Sequence, residues 1–479
     1  MKKPIAAHSL DDFNKKALTR LLAIAILITA VLITYLSLTE RYLFLLAMAA
    51  APLIVLVVTQ PRLALYQYVF VLFIVYDLVP SVPLTIMDVS AVLIIMAALL
   101  DVLFSDRLPK HLPRLSFNYL YIIAALIVCG FLGYWPQLAV RRVATVTLLL
   151  GTFLAVYRLA AKVTIFELVN CFFVLAVAHS IYVLVPFLAE GGSYRSFGFT
   201  TVLFDDIAMV ALPIGLSLYL RATSRKAGYY LIGSVIVWGG LIATQSRAPI
   251  ILASAASLFV FIVAYYQNRR IYPNDETARI FRFRIRSVIG TVLALSGLVV
   301  VLKSSILAGV VDRFEQLLSF EPGSTTTLRL SLWKRALVAF LDHPIFGVGP
   351  GGYYKLHEIY SSWHLTPSFY YLRTLGAHNL LLHYLADTGL VGGIGLIALV
   401  VNQFKIARHN WLMLGDRLSE PILALYGWAF LFALSTVTEA SWMWGQLSFL
   451  AIFFAALVSR QYTIATQSQG QSRFLQRIQ

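Results

Sequence analysis

His343-Pro344-Ile345-Phe346-Gly347-Val348-Gly349-Pro350-Gly351-Gly352-Tyr353 stands inside the longest connection between apolar runs, which begins at Lys303 and closes on Gly376-Ala377-His378-Asn379. Earlier in that connection come Thr327-Leu328-Arg329 and Trp333-Lys334-Arg335. The apolar run after it passes through Asp387-Thr388-Gly389-Leu390-Val391-Gly392-Gly393. A polar loop of this length has to form structure outside the lipid, because its backbone N–H and C=O groups would find no partners within hydrocarbon. On either side of it the chain reads as membrane.

Composition agrees. Hydrophobic residues make up 59% of the 479 residues and charged residues 13%, far from the usage of soluble domains. Apolar runs of about 18 or more residues, enough to cross a hydrocarbon core of about 30 Å as helix, recur from end to end. No linker interrupts them, so residues 1–479 read as one transmembrane domain, with 303–377 inserted as a large loop and 461–479 as a tail rich in Gln and Ser, expected to be poorly ordered. The run Leu21 to Leu38 follows Lys15, Lys16 and Arg20, but it exceeds a signal-peptide core and leads into Thr39-Glu40-Arg41 without a small-residue cleavage site; it reads as a retained span. The net charge of +16 does not point to nucleic acid, because the basic residues cluster in short connections between apolar runs. Cys129 and Cys171 sit inside apolar runs without metal or redox spacing.

Hydropathy and period predict helices at Leu18–Leu38, Tyr42–Thr59, Leu63–Leu78, Leu84–Phe104, Asn118–Trp135, Val143–Ala160, Ile165–Leu188, Thr200–Leu220, Tyr229–Gln245, Ala248–Gln267, Ser287–Leu302, His378–Val401, Pro421–Thr438 and Gly445–Ser459. The predicted fold is an all-α polytopic membrane protein of about 14 transmembrane helices. Every second connection is rich in Lys and Arg, as in Arg158…Lys162, Arg221…Arg225-Lys226 and the run Arg269-Arg270…Arg286. With a cytoplasmic N-terminus these connections face the cytoplasm, as do both termini. Gly191-Gly192-Ser193-Tyr194-Arg195, Gln245-Ser246-Arg247 and the long loop then share the outer face.

The residues suited to chemistry lie on that face. Arg195 follows a Gly-Gly turn, and Arg247 opens a helix whose Pro249 fits a first turn. Arg141 and Arg142 stand at another outer helix start. Guanidinium groups are always charged and give two parallel hydrogen bonds, which suits a diphosphate; contact with ordinary lipid headgroups is the simpler alternative. His378 is a side chain able to take a proton from a hydroxyl nucleophile near neutral pH, although a histidine at a helix end is often only a cap. His343, His357 and His364 lack metal-ligand spacing, so no metal is expected. The glycine run lacks the Lys-Ser/Thr of a P-loop and follows no strand, and reads as a tight turn.

Taken together, Thr327-x-Arg329…Trp333, Pro344…Gly347-x-Gly349-x-Gly351, Ala377-His378-Asn379 and Gly389-Leu390-Val391-Gly392, preceded by Arg195…Gly198-Phe199 and Ser246-Arg247, resemble the O-antigen ligase and O-antigen polymerase superfamily from Arg195 to Leu396. Where members often carry an Asn shortly after Gly-Phe, this chain reads Thr200-Thr201-Val202-Leu203-Phe204-Asp205-Asp206. The resemblance implies a bacterial inner-membrane glycosyltransferase, glycosyltransferase C-like in architecture, with a large periplasmic loop, no cofactor and no metal. It implies an undecaprenyl-diphosphate-linked glycan as donor and a lipid or glycan acceptor, among membrane lipids and without nucleic acid. By position it makes Arg195, Arg247 and Arg329 the diphosphate-binding arginines and His378 the catalytic base, acting with inversion, and leaves ligase and polymerase both open. The alternative class is a flippase-like transporter of lipid-linked oligosaccharides, which should show two related halves and paired ionisable residues in the membrane; no such repeat is evident, and Asp88, Asp101, Glu167 and His179 are scattered.

Overall fold

Apolar runs bounded by capping residues become helices throughout the computed structural model, which describes residues 54–74, 77–79, 82–105, 112–190, 204–222, 224–271, 279–280, 282–288, 290, 325–360, 376–414, 421–437 and 446–478. The order is α1 (Pro61–Val71), a two-stranded antiparallel hairpin of β1 (Asp77–Val79) and β2 (Val82–Thr85), then α2 (Ile86–Phe104), α3 (Arg114–Leu132), α4 (Pro136–Leu159), α5 (Ile165–Ala189), α6 (Phe204–Arg221), α7 (Ser224–Ala243) and α8 (Arg247–Ile271). After these come α9 (Thr325–Asp342), a 3-10 turn at Gly352–Lys355 with the short α10 (Leu356–Ile359), α11 (Leu380–Leu414), α12 (Ile422–Ser435) and α13 (Gln446–Ile478).

The helix starts are written locally. Thr85 and Asp88 form a reciprocal capping box at α2. Thr164 caps α5 by accepting the Glu167 N–H at 3.2 Å. Pro136 takes the first turn of α4 after the Gly133–Trp135 turn that folds it back on α3.

Eight of the described helices are long and apolar enough to cross a membrane, and α12 is a shorter apolar helix beside them. The chain is a multi-pass membrane protein. Among those eight spans Leu447–Gln467 of α13 is 78% buried against 33% for α2, so α13 is enclosed by other helices and α2 is the more exposed. An aromatic cluster ties three helices together: Phe259 of α8 stacks on Phe430 of α12 with centroids 4.2 Å apart, and Phe404 of α11 sits 5.3 Å from Tyr426 of α12.

Several expectations are corrected. The predicted helix Leu63–Leu78 stops at Val71 and its end enters the hairpin; the following Pro80 and Pro83 cannot donate backbone hydrogen bonds, which disfavours a continuing helix. The tail expected to be poorly ordered continues α13 to Ile478, consistent with its Gln, Arg and Leu content and lack of proline. The strand pair also qualifies the all-α reading. The predicted spans Leu18–Leu38, most of Tyr42–Thr59 and most of Ser287–Leu302 lie outside the described residues.

One helix departs from the expected shape. α11 is broken at Gly389, whose φ of 58° and ψ of −156° leave the helical region, a conformation essentially restricted to glycine.

Candidate active site

The break in α11 frees backbone groups that the glycine loop satisfies one by one. Gly349 and Val348 donate to the carbonyls of Asp387 and Ala386 at 2.9 and 3.0 Å, while Leu390 and Val391 donate to Pro344 and Ile345 at 2.8 and 3.1 Å. Non-helical backbone at membrane depth is tolerated only where protein supplies such partners. The approach is close enough that a Cβ on Gly389 would overlap the Ile345 carbonyl, and one on Gly347, itself at φ +66°, would overlap the Asp387 carbonyl.

Asp387 anchors the far end of the loop. Its carboxylate, 1% exposed, accepts the Gly351 N–H at 2.7 Å and the Tyr353 N–H at 2.8 Å, charge-assisted bonds of the stronger kind. Arg142 supplies the neighbouring positive charge: it acts electrostatically on Asp387 and Tyr354, and its Nε lies 3.4 Å from where a Cβ of Gly351 would stand. A small core of Ala336, Ala339, Val348, Tyr353, Leu356, Ala377 and Ala386 packs α9 and the loop onto the start of α11. Within it the Tyr353 hydroxyl donates to the Leu332 carbonyl at 3.0 Å, and the Arg335 guanidinium lies 5.7 Å from the Tyr353 ring. Burial pushes the Tyr353 phenol well above its usual range and pulls the Arg335 guanidinium down.

His383 joins this anchor to the helix start. Its ring is 4.6 Å from that of Tyr353, its Nε2 is 3.6 Å from Asp387 Oδ2, and its Nδ1 accepts the Ala377 N–H at 3.4 Å. With Nδ1 as acceptor, the neutral ring carries its proton on Nε2, facing the carboxylate. The amide so held belongs to the residue before His378. Asn379 then caps α11 by accepting the Leu382 N–H at 2.9 Å.

His378 is half-buried and has φ +47°; among the described residues the other non-glycine in this left-handed region is Gln245, φ +53°. Gln245 lies two positions before Arg247, the first residue of α8. Such conformations are costly and gather at functional sites, and here they fall at the two predicted site segments. Both segments stand at helix N-termini that flank α12. The Leu381 N–H donates to the Thr436 carbonyl at 3.2 Å, which sets the end of α12 level with the start of α11. Phe259, about 18 Å along α8 from Arg247, packs between Phe430 and Tyr426, which are about 9 and 15 Å below Thr436. Arg247 and His378 therefore sit at the same end of the bundle at similar height. Arg329 is half-buried on α9, the helix docked on the start of α11 through Ala336 and Ala339. Arg195 lies outside the described residues.

The sequence reading named neither His383 nor Asp387 as a site residue, although Asp387 was legible as an ionisable group inside an apolar run with a histidine one helical turn before it. Among the described residues no group of three or more His, Cys, Asp or Glu is placed to hold a metal ion.

No curated protein matches the chain. The family model described as O-antigen ligase matches residues 232–397, a stretch that holds Arg247, Arg329, the glycine loop, His378, Asp387 and Gly389. Over that stretch this multi-pass membrane protein is similar to the O-antigen ligase family, which supports the resemblance to the O-antigen ligase and polymerase superfamily.

Proposed function

We propose that the protein transfers glycan from an undecaprenyl-diphosphate donor to a sugar hydroxyl at the outer face of a bacterial inner membrane, as a ligase or polymerase. The observation that carries this is the pairing of Arg247 and His378 at one end of the bundle, each at a helix start beside a strained non-glycine backbone. The basic residues Arg114, Arg158, Lys162, Arg221 and Arg460 stand towards the other end, near Tyr462, Asp101 and Trp411. By the positive-inside rule that other end is cytoplasmic, so the candidate site is periplasmic.

The chemistry follows from the donor. As the anomeric bond breaks, negative charge develops on the departing diphosphate, and Arg247 with Arg195 and Arg329 neutralises it without a metal. His378 removes the proton from the acceptor hydroxyl, a role worth about 10²–10⁴-fold. Single displacement inverts the anomeric carbon. The anchor formed by Asp387, His383 and Tyr353 does not take part; it fixes the backbone that presents His378.

The test is transfer by purified protein given lipid-diphosphate glycan and acceptor, with His378→Ala alongside. Product from the wild type and its loss in a folded His378→Ala support the reading. A folded His378→Ala with full activity removes the histidine. Vesicle translocation of the donor without any transfer would instead favour the flippase-like alternative.

A further inference from the structure

At the end of the bundle opposite the candidate site, a cleft of about 1100 Å³ opens between α2, α4, α11 and α13. That volume is at the upper end for small-molecule pockets. Its mouth is basic. Asp101 is shared by Arg158 at 2.8 Å and Lys162 at 3.2 Å, so one carboxylate already answers two cations. Two further arginines line the same mouth: Arg114 lies 5.0 Å over the Tyr462 ring and Arg460 5.8 Å over the Tyr157 ring. Among the described residues neither is held by a carboxylate. The cleft thus presents, among the described residues, four cations against one anion, with Ser105 and Thr463 beside them as hydroxyl donors.

Its other end is apolar. Ile95, Ala98, Leu99, Gly151 and Leu154 line a shaft running from the cations towards the middle of the bundle; Ile95 is about 9 Å along α2 from Asp101, and Gly151 about 10 Å along α4 from Arg158. Gly151 lets α2 and α4 approach closely, since Ile95 Cδ1 already fills the space a Cβ there would take, 2.9 Å away. A cationic mouth at the membrane surface joined to an apolar shaft in the bilayer matches the two ends of one molecule.

We infer that this cleft binds a single anionic diacyl phospholipid, with its phosphate among Arg114, Arg460 and Lys162 and an acyl chain along the apolar lining beside Leu99 and Leu154. It lies at the far end of the bundle from Arg247 and His378, and its occupancy does not depend on the reaction proposed above. The lipid would clamp α2 and α4 to α13, filling a gap that protein side chains leave.

The experiment is native mass spectrometry of the full chain released from mixed micelles holding phosphatidylglycerol or phosphatidylethanolamine of identical chains, with glycerol 3-phosphate as a soluble competitor. The wild type should retain one phosphatidylglycerol per chain at least tenfold over phosphatidylethanolamine, and glycerol 3-phosphate should not displace it. Each basic residue near a charged surface is worth about fivefold in binding, so Arg114→Ala with Arg460→Ala should weaken retention by about 30-fold. Leu154→Trp keeps every cation but fills the apolar end of the cleft, and should also abolish retention. Equal retention of the two lipids by wild type overturns the inference without any variant. Displacement by glycerol 3-phosphate, or unaltered retention in Leu154→Trp, would show a headgroup-only anion site and overturn it as well.

Discussion

Asp387→Asn tests whether the glycine loop is held by a charge or merely by shape. The carboxylate accepts the Gly351 and Tyr353 amides at 2.7 and 2.8 Å, and an amide side chain has one oxygen to offer where two are needed. If that oxygen meets Tyr353, the NH₂ group faces the Gly351 N–H, donor against donor. One hydrogen bond to a charged group, worth about 1.5–3 kcal/mol, is lost, and a buried donor left unsatisfied costs about 1–3 kcal/mol more. The sum falls near the 3–5 kcal/mol seen when one partner of a buried ion pair is removed, because Arg142 also loses its counter-charge. Two readouts check this. Hydrogen exchange at the Gly351 and Tyr353 amides should accelerate while exchange in α13 stays slow. A double-mutant cycle with Arg142→Gln, followed by unfolding in mixed micelles, should give a coupling of about 1.5 kcal/mol or more. Additivity within about 0.5 kcal/mol, with Asp387→Asn costing under about 1 kcal/mol, would refute the electrostatic anchor.

Gly389→Ala should destabilise by at least about 1–3 kcal/mol, since it places a Cβ against the Ile345 carbonyl at a backbone conformation other residues avoid; thermal unfolding in detergent measures it, and a wild-type melting temperature would contradict the strain. Arg247→Lys should insert and fold normally yet slow transfer about 10- to 100-fold, because a point charge cannot replace two parallel donors and each 1.36 kcal/mol is tenfold in rate. Initial rates at matched expression decide it, and equal rates would leave Arg247 as a membrane anchor. Chelation with EDTA should leave the transfer rate within about twofold of untreated enzyme, since arginines are to do the work a metal would do; a larger loss that added divalent cation restores would argue for a metal-assisted step.

The membrane character and the spans from Leu84 to Leu188 were legible because apolar length is a local property. The boundaries were less exact: α3 begins at Arg114 where hydropathy put Asn118, and α4 at Pro136 where it put Val143. The break in α11 was not legible, since a glycine inside an apolar run is ordinary in membrane helices and nothing near Gly389 in sequence reveals the Pro344 and Ile345 carbonyls that replace its helical partners. The same holds for Asp387. It was quoted as part of a motif, but its partners are the amides of Gly351 and Tyr353, more than thirty residues earlier in the chain, and only the tertiary fold brings them together. His378 and Arg247 were chosen by residue type and position, and the strain around both became visible only as backbone angles.

The interlock between residues 344–353 and the break at 386–391 also bears on how such proteins can be recombined. Neither half is complete alone, because the carbonyls and amides exposed by the break are those that the loop consumes. A chimera that grafts the outer loop of one relative onto the helices of another inherits two halves of different origin unless its crossovers fall outside both segments. The unit of exchange is therefore the continuous piece from about Pro344 through Val391, carried as one cassette with His378 inside it. Segments outside that cassette are where exchange between relatives leaves the joint intact.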